Sequence, residues 1–216
     1  MENLKITNII ATFNINQNFS KDQFRWIAAN GINTELNSTR PHLIIIRLRR
    51  IDKKNYTISA TLRRNGKVLL AGAKTNREIF HVARRITRYI YAAIIKGDDS
   101  PVNSCDYEQY QARNLQIRNI AATLSLPFRI HIENLHKEIN ENKYDMIFKS
   151  SFYNPWKFSA LHTKFILPDR NYLSVQIFMS GKIIITGAHN NKDIILSSQF
   201  LQELLTHYDR RKITTS

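Results

Sequence analysis

The segment NGKVLLAGAK at residues 65–74 recurs as SGKIIITGAH at residues 180–189. In each copy a Gly-Lys turn opens a short apolar run and Gly-Ala closes it, the pattern of a buried strand that a tight turn precedes and a helix follows. The copies lie 115 residues apart, a little over half of the 216-residue chain. NIIAT at 8–12 and NIAAT at 119–123 recur at a similar offset, 111 residues. The sequence therefore predicts a duplicated domain.

Composition limits the size of the core and the class of partner. With 216 residues, 43% of them hydrophobic, the chain can bury one large core or two cores of about 100 residues each. The formal net charge of +15 and the pI of about 10.1 favour a polyanion, above all nucleic acid, as the partner. Residues 1–97 hold 18 Lys or Arg and 5 Asp or Glu, whereas residues 98–216 hold 14 and 12. Most of the electrostatic attraction is therefore expected from the first half.

Cysteine usage and hydropathy indicate a soluble intracellular protein. Cys105 is the only cysteine, which excludes a disulfide within the chain and suits a reducing compartment. No apolar run reaches the roughly 18 residues that a membrane span requires, and MENLKITNII lacks the pattern of a signal peptide. We therefore expect an intracellular location without membrane association.

The first half begins with a predicted strand and helix. KITNIIATFNI at residues 5–15 alternates like a strand, and its even-numbered residues from Asn8 onward share one face. Ser20 and Gln23 form a capping box, so a helix is expected just after Ser20, and Gly31 ends it.

An antiparallel meander and a long helix follow. LIIIRLRR, YTISATLRR and the first copy of the repeated segment have the alternation and turns of three successive strands. Residues 76–95 then carry a helical apolar stripe that is long enough to cover one face of a sheet. The stripe consists of Ile79, Phe80, Ala83, Ile86, Ile90 and Ile94.

The second half repeats this order. We divide the chain into repeat 1 at residues 1–97, an acidic linker at 98–112 and repeat 2 at 113–216. Repeat 2 predicts a strand at 115–125, a helix at 129–138, strands at 144–152, 161–167 and 172–179, the second copy of the segment, and a helix from 193 to about 207. The predicted fold class is α+β, in which the two sheets join into one curved antiparallel sheet with the long helices on its outer side.

One face of the predicted sheet has nothing to cover it. In the second copy, Ile183 and Ile185 are expected to face the helices, while Ile184 and Thr186 face the other side together with Phe178 of the preceding strand. An exposed Phe and Ile on a basic sheet indicate a binding surface. Alternatively, a dimer partner or a different strand register buries these residues.

Five segments together resemble the TATA-binding protein family of transcription initiation factors. They are TNIIATFNI, NGKVLLAGAK, IRNIAATLSLPFRIHIENL, SSFYNPWKF and QIFMSGKIIITGA, in the order and spacing of that family. The resemblance covers residues 5–212 and includes the duplication. It implies a saddle of ten antiparallel strands with helices on the convex face. In this family, a standard example of minor-groove binding, the concave face binds and bends A/T-rich, TATA-like promoter DNA and phenylalanine pairs wedge base steps open.

The resemblance implies roles for residues of both repeats. Minor-groove contacts fall on Asn8, Ile10, Leu69, Ala71, Asn119, Ala121, Ile184 and Thr186. The two Asn amides among them can reach the acceptors that A·T pairs present in the minor groove. The wedge positions fall on Phe158 and Phe178 in repeat 2 and on Pro41 and Arg63 in repeat 1. Phosphate contacts fall on Arg40, Arg47, Lys67, Lys74, Lys164 and Lys182.

Repeat 1 departs from the family at its wedge. Pro41 and Arg63 stand where the family has phenylalanines, and Ala71 stands where it has a threonine. Proline is itself a wedge residue, and arginine suits the narrow minor groove of A·T-rich DNA. We therefore expect an asymmetric kink that is sharper under repeat 2, while the basic first half holds the DNA backbone.

The expected partners follow from the same resemblance. They are double-stranded A/T-rich promoter DNA, a transcription factor IIB-like factor and the RNA polymerase machinery, without a cofactor or metal. The loop that is acidic in the family and receives transcription factor IIB is here Asn154, Trp156 and Lys157, so that contact is expected to be altered. The long helix of repeat 1 has either a second partner surface or a solvated basic face at Arg84, Arg85 and Arg88.

The resemblance also bears on assembly and location. A monomer is expected on DNA, and a dimer stays open for the free protein. The expected location is the nucleus, or a viral factory or virion if this divergent lineage is viral.

Two other classes of function compete with this interpretation. An enzyme would need clustered carboxylates or a metal set, but the acids of the first half are few and His131 and His136 have no companion ligand. Gly66-Lys67 lacks the spacing of a phosphate-binding loop. The second alternative keeps the fold but gives a diverged saddle that binds DNA with little sequence specificity or acts mainly as a protein-docking module.

Overall fold

The computed structural model describes residues 3–50, 53–95, 104–141, 143–144, 146–169 and 171–213. These residues form ten strands, four α-helices and one 3-10 helix at Ser104–Tyr110. The strands are β1 (Leu4–Asn14), β2 (Thr34–Leu36), β3 (Leu43–Arg50), β4 (Lys53–Arg63), β5 (Lys67–Ala73), β6 (Arg113–Ser125), β7 (Phe148–Asn154), β8 (Phe158–Ile166), β9 (Tyr172–Phe178) and β10 (Lys182–Ala188). The helices are α1 (Lys21–Asn30), α2 (Asn76–Ile95), α3 (Ile132–Asn140) and α4 (Asn191–Ile213).

The hydrogen-bonded strand order is β2-β3-β4-β5-β1 in the first half of the chain and β6-β10-β9-β8-β7 in the second half. Pairing is antiparallel throughout β2-β3-β4-β5-β1 and throughout β6-β10-β9-β8-β7. The predicted α+β class, with ten antiparallel strands built by a repeated order of elements, is therefore confirmed.

The chain divides into two compact units, which we call the first-repeat unit and the second-repeat unit. The first comprises Asn8–Arg118, and the second comprises Asn119 onward together with the residues up to Thr7. The predicted division at 97/98 and 112/113 stays a prediction, and residues 96–103, which include part of the predicted linker, lie outside the described residues.

In the first-repeat unit, α1 begins and ends where its capping residues predict. The Ser20 hydroxyl accepts from the Gln23 backbone N–H at 3.1 Å, and the Gln23 side-chain oxygen accepts from the Ser20 N–H at 3.0 Å, which completes the capping box. Gly31 has extended backbone angles, so the helix stops before it. The capping-box prediction is confirmed.

The core of this unit lies between α2 and the sheet. Four residues of the predicted stripe are buried, namely Ile79, Ala83, Ile86 and Ile90, and α2 contacts β5 of the sheet. Phe80 was wrongly assigned to the stripe, since 59% of it is exposed. Successive helical residues are about 100° apart, so Phe80 lies beside the stripe, and Val82 is buried instead. Ile94 is half-buried.

Two elements of the first-repeat unit escape a prediction based on periodicity. Strand β2 has three residues, too few for an alternation, and it pairs with the β3 residues Ile44–Ile46. The 3-10 helix lies within the predicted linker, where Tyr107 and Tyr110 place their ring centroids 5.2 and 5.3 Å from that of Tyr91 on α2. The end of the linker is therefore packed against a helix.

In the second-repeat unit, local hydrogen bonds shift two element boundaries. Helix α3 begins at Ile132, three residues later than predicted, because the Ile130 N–H donates to the Met179 carbonyl and holds that residue beside the turn after β9. Strand β7 begins at Phe148 rather than at 144, because the N–H groups of residues 147 and 148 both donate to the Tyr144 carbonyl and form a turn. Among the described residues, no helix combines the length and apolar character that crossing a membrane requires.

Candidate nucleic-acid interface

Each unit has a sheet face opposite its helices, which we call its outward face. In the second-repeat unit Ile183 and Ile185 are fully buried, whereas Ile184, Thr186 and Phe178 are half-buried on the other side of their strands. The predicted orientation of these side chains is confirmed. In the first-repeat unit the outward face carries Asn8 and Ile10, which alternate with the buried residues of β1.

A β-bulge holds Asn8 in place on the first outward face. Ile9 pairs with Ala73 and Ile10 with Ala71, so Gly72 is an extra residue of β5 with a φ of +107°. The bulge turns the Gly72 N–H out of the ladder, and the N–H donates to Asn8 Oδ1 at 2.8 Å. Because a backbone N–H can only donate, it fixes Oδ1 as the acceptor and leaves the amide Nδ2H₂ as the end that can donate to a ligand.

The second outward face contains the same arrangement. The register shifts between Thr186 and Ala188, Gly187 has a φ of +104°, and its N–H donates to Asn119 Oδ1 at 2.8 Å. The donor end of this amide is again the free end. In the minor groove A·T pairs present only acceptors, so two such donors suit A·T-rich DNA.

Small or apolar side chains continue each outward face along the strands from its amide. On the first face Ile10 is opposite Ala71, and Thr12 is opposite Leu69, which is 40% exposed. On the second face Ala121 is opposite Thr186, and Thr123 is opposite Ile184. The structure therefore brings together, within each unit, the residues that the sequence assigned to the minor groove.

Phe158 and Phe178 form a raised aromatic pair on the second face. Their ring centroids lie 6.0 Å apart with the planes at 65°, and 44% of Phe158 is exposed. Ala160 pairs with Phe178 in register and is only 1% exposed, so a small residue lies beneath the rings. Two partly exposed rings above a small residue can enter a base step, as the wedge assignment requires.

The corresponding positions on the first face are neither aromatic nor paired with each other. Arg63 is exposed at the end of β4, opposite Leu43 at the start of β3. Pro41 is exposed in the turn before β3, where the Leu43 N–H donates to the Arg40 carbonyl at 2.9 Å. One end of this face thus offers a cation and a rigid ring in place of two phenyl rings.

The side chains predicted to contact phosphate differ in their solvent exposure and in their existing ion pairs. Exposed side chains occur at Arg40, Arg47, Lys67, Lys164 and Lys182, and Lys74 is half-buried. Lys67 and Lys182 occupy equivalent positions, the first residues of β5 and β10. Arg47 already forms an ion pair with Glu35 on β2, so a phosphate would have to replace that carboxylate.

The two predicted partner surfaces have defined local structures. Asn154 forms a turn in which its side-chain oxygen accepts from the Trp156 N–H at 3.1 Å, and this turn leaves Trp156 95% exposed. On α2, Arg84 and Arg88 are exposed, whereas Arg85 is half-buried and donates to the Tyr89 hydroxyl at 2.9 Å.

Sequence reasoning missed two residues of the second outward face. Phe152 on β7 is 59% exposed and is paired directly with His162 on β8, whose ring centroid lies 5.0 Å from that of Phe158. A signal was present in the sequence, since a phenylalanine precedes the turn at 154–157 and another follows it. Their shared face becomes visible only with the register of β7 and β8.

Ionisable side chains away from the outward faces make local contacts in the described part of the chain. No three His, Cys, Asp or Glu side chains there are close enough to hold a metal ion. His136 bonds to Ser151 at 2.8 Å and to Asn140 at 3.2 Å, which fixes α3 to β7. Elsewhere on the surface, the Glu141 carboxylate accepts a hydrogen bond from Lys143 and raises the pKa of that amine.

In the described part of the chain, each unit of the duplicated α+β fold has one sheet face towards its helices and one partly exposed face with an amide and nearby basic side chains, which are the features of a nucleic-acid-binding class of protein. A family model described as "Transcription factor TFIID (or TATA-binding protein, TBP)" matches residues 3–93 and 114–208. The chain belongs to the TATA-binding protein family, and the resemblance seen in the sequence is confirmed.

Individual relatives and a solved structure agree with the family model. The TATA-box-binding protein of Tetrahymena thermophila is 30% identical over 210 residues, which cover 96% of this chain and 71% of the relative. The TBP-related factor of Drosophila melanogaster is 26% identical over 205 residues, covering 95% and 77%. The structure of Methanococcus jannaschii TBP has a TM-score of 0.66 at 22% identity, covers 95% of this chain and 99% of its own, and shows the shared fold.

Membership in the family carries the coarse function. The chain is a TBP-like transcription initiation factor and not an enzyme, as predicted. The family implies DNA and the transcription machinery as partners and an intracellular location.

Proposed function

We propose that the outward faces of both units bind the minor groove of A/T-rich, TATA-like promoter DNA, bend it and so nucleate a preinitiation complex. One observation carries this proposal: each outward face holds an Asn amide whose oxygen is bound by the N–H of a bulged glycine at 2.8 Å. The donor end of each amide is thereby fixed before DNA binds, and donors are what the acceptor-only edge of A·T pairs requires.

Bending is assigned mainly to the second-repeat unit. Its two partly exposed rings, Phe158 and Phe178, are the side chains suited to insertion between base pairs, and unstacking a step kinks the duplex. In the first-repeat unit Arg63 lies at the matching position and is suited to a narrow minor groove rather than to insertion. The expected bend is therefore asymmetric.

Positioning on the DNA backbone is assigned to the exposed basic side chains. Lys67 and Lys182 are equivalent in the two repeats, and the first half of the chain carries most of the net charge. Such contacts raise affinity for every sequence and make binding depend on salt, without contributing to sequence discrimination.

Assembly with other factors is assigned to two surfaces. The turn at 154–157 presents Trp156 and Lys157 where the resemblance implies an acidic loop, so its partner is a transcription factor IIB-like protein with altered complementary chemistry. Arg84 and Arg88 on α2 form a second, basic surface for an acidic partner. The protein is proposed to act as a monomer on DNA.

A comparison of two duplexes at matched salt tests the proposal. Affinity should be higher for an A·T-rich site than for a scrambled duplex of the same composition, and energy transfer between labelled duplex ends should show bending only in the first complex. A specificity ratio near one would leave only the electrostatic contribution and would support the alternative function, binding with little sequence specificity or protein docking. The absence of a first-repeat aromatic pair is the observation that favours this alternative.

A further inference from the structure

The second outward face carries more aromatic rings than the Phe158–Phe178 pair. Phe158 lies 6.0 Å from Phe178 and 5.0 Å from His162, measured between ring centroids. His162 on β8 is paired directly with Phe152 on β7, and residues paired in this way place their side chains on the same sheet face. A row of four aromatic side chains therefore runs across β9, β8 and β7.

Contacts of the neighbouring residue confirm the orientation of Phe152. Ser151 bonds to His136 on α3 at 2.8 Å, so the Ser151 side chain faces the helices. Successive strand residues point to opposite faces, which puts Phe152 on the outward face. It is 59% exposed and lies on the last strand of the sheet order.

Core packing does not account for this placement. A phenyl ring with more than half of its surface in water contributes little to the core, and exposed aromatic side chains that cluster commonly mark a binding surface. Lys164, two residues after His162 on the same face of β8, is exposed and adds a cation to the row. Aromatic rings next to a cation suit the bases, sugars and phosphates of nucleic acid.

We infer that Phe152 and His162 make a second contact to DNA immediately outside the Phe158–Phe178 wedge, and that this contact lengthens the bound segment by one base step towards β7. The occupant is the minor-groove edge of the duplex, its base edges and deoxyribose rings. The inference rests on the proposed function, because it extends the surface that the wedge assignment already uses.

The test compares variants on duplexes of two lengths. Phe152→Ala and Phe152→Leu are measured on the full A·T-rich site and on sites shortened by one base pair from either end in turn. Removal of the outer pair at one end should cost the unaltered protein about fivefold in affinity, the lower end of the range for one altered base pair in a protein–DNA site. The same shortening should cost both variants nothing, because the contact is already lost. Phe80→Ala is the matched control, since Phe80 on α2 is also 59% exposed.

Each outcome decides the inference. It is overturned if Phe152→Ala weakens binding no more than Phe80→Ala, or if it weakens binding to the long and short duplexes equally. Phe152→Leu keeps an apolar side chain on β7, so a loss of DNA affinity shared by both variants is not explained by misfolding of Phe152→Ala. Phe178→Ala, measured on the same duplexes, separates the two proposals: unchanged bending there contradicts the proposed function, whereas reduced bending together with a neutral Phe152→Ala contradicts only this inference.

Discussion

The two repeats have the same backbone arrangement around one Asn side chain but differ in the side chains at their predicted wedge positions. Each has a bulged glycine that donates to an Asn oxygen at 2.8 Å, at Gly72 and at Gly187. Where repeat 2 has the rings of Phe158 and Phe178, however, repeat 1 has Pro41 and Arg63, and it carries most of the net positive charge. From this difference we expect wedging to fall mainly to repeat 2 and charge attraction mainly to repeat 1, while the amide arrangement is common to both.

Removal of one wedge ring should have the largest effect. Phe178→Ala is expected to weaken binding to an A·T-rich site by a few kcal/mol and to reduce the bend, because a base step is no longer unstacked. Arg63→Ala, at the matching position of repeat 1, should leave the bend angle unchanged and lower the salt dependence instead. Energy transfer across labelled duplexes measures both. An equal loss of bending in the two variants would contradict the proposal that repeat 2 is mainly responsible for bending the DNA.

The two bulge glycines should differ in how much they resist substitution. A Cβ on Gly72 would lie 2.8 Å from the Thr57 carbonyl oxygen, whereas the nearest atom to a Cβ on Gly187 would be 3.6 Å away. Both positions have positive φ, which costs an alanine about 1–2 kcal/mol. Gly187→Ala should lower the free energy of unfolding by about that amount, and Gly72→Ala by more. Chemical denaturation of both variants checks the order. Equal losses of unfolding free energy would show that the backbone at Thr57 moves away from the added Cβ without destabilising the fold.

Elements and faces could be predicted from the sequence because they depend on local periodicity. The alternation of IIAT around Ile10 and the stripe from Ile79 to Ile90 are properties of single segments. The bond between Asn8 and Gly72 could not be predicted, since it depends on the register of strands 64 residues apart. Phe152 was missed for the same reason, because its face is set by the pairing of β7 with β8. Phe80 shows that helical spacing alone does not establish burial, because an exposed ring can lie beside the buried stripe of a helix.

The equivalent lysines should have smaller and more similar effects. Lys67→Ala is expected to weaken binding to all sequences alike and to lower the salt slope by about one, as expected for the loss of one phosphate contact. Lys182→Ala should do the same, because Lys182 occupies the equivalent exposed position on β10. Titrations at several salt concentrations, on A·T-rich and scrambled duplexes, provide the measurement. A change in the specificity ratio would show that one of these lysines contacts base edges.

The smallest effect is expected at the ion pair of the first-repeat unit. Glu35→Gln should strengthen DNA binding about twofold at low salt, since Arg47 would no longer have to leave a carboxylate; both partners are about half exposed, and such pairs contribute at most about 1 kcal/mol. Glu108→Gln removes the same charge from an exposed position on the 3-10 helix and serves as the control. An equal gain in both variants would mean that net charge alone is responsible.

The Asn–Gly bond also bears on how the strands find their alignment during folding. In β10 three consecutive isoleucines, Ile183–Ile185, present nearly the same hydrophobic profile whether or not the strand slides along β6 by one position, yet such a slide would invert every side chain. Hydrophobicity alone therefore discriminates poorly between the native and the slipped pairing. Only the native alignment gives the turned-out N–H of Gly187 its acceptor on Asn119. Asn119, which is proposed to recognise DNA, would thus also favour the native strand register over a slipped one during folding.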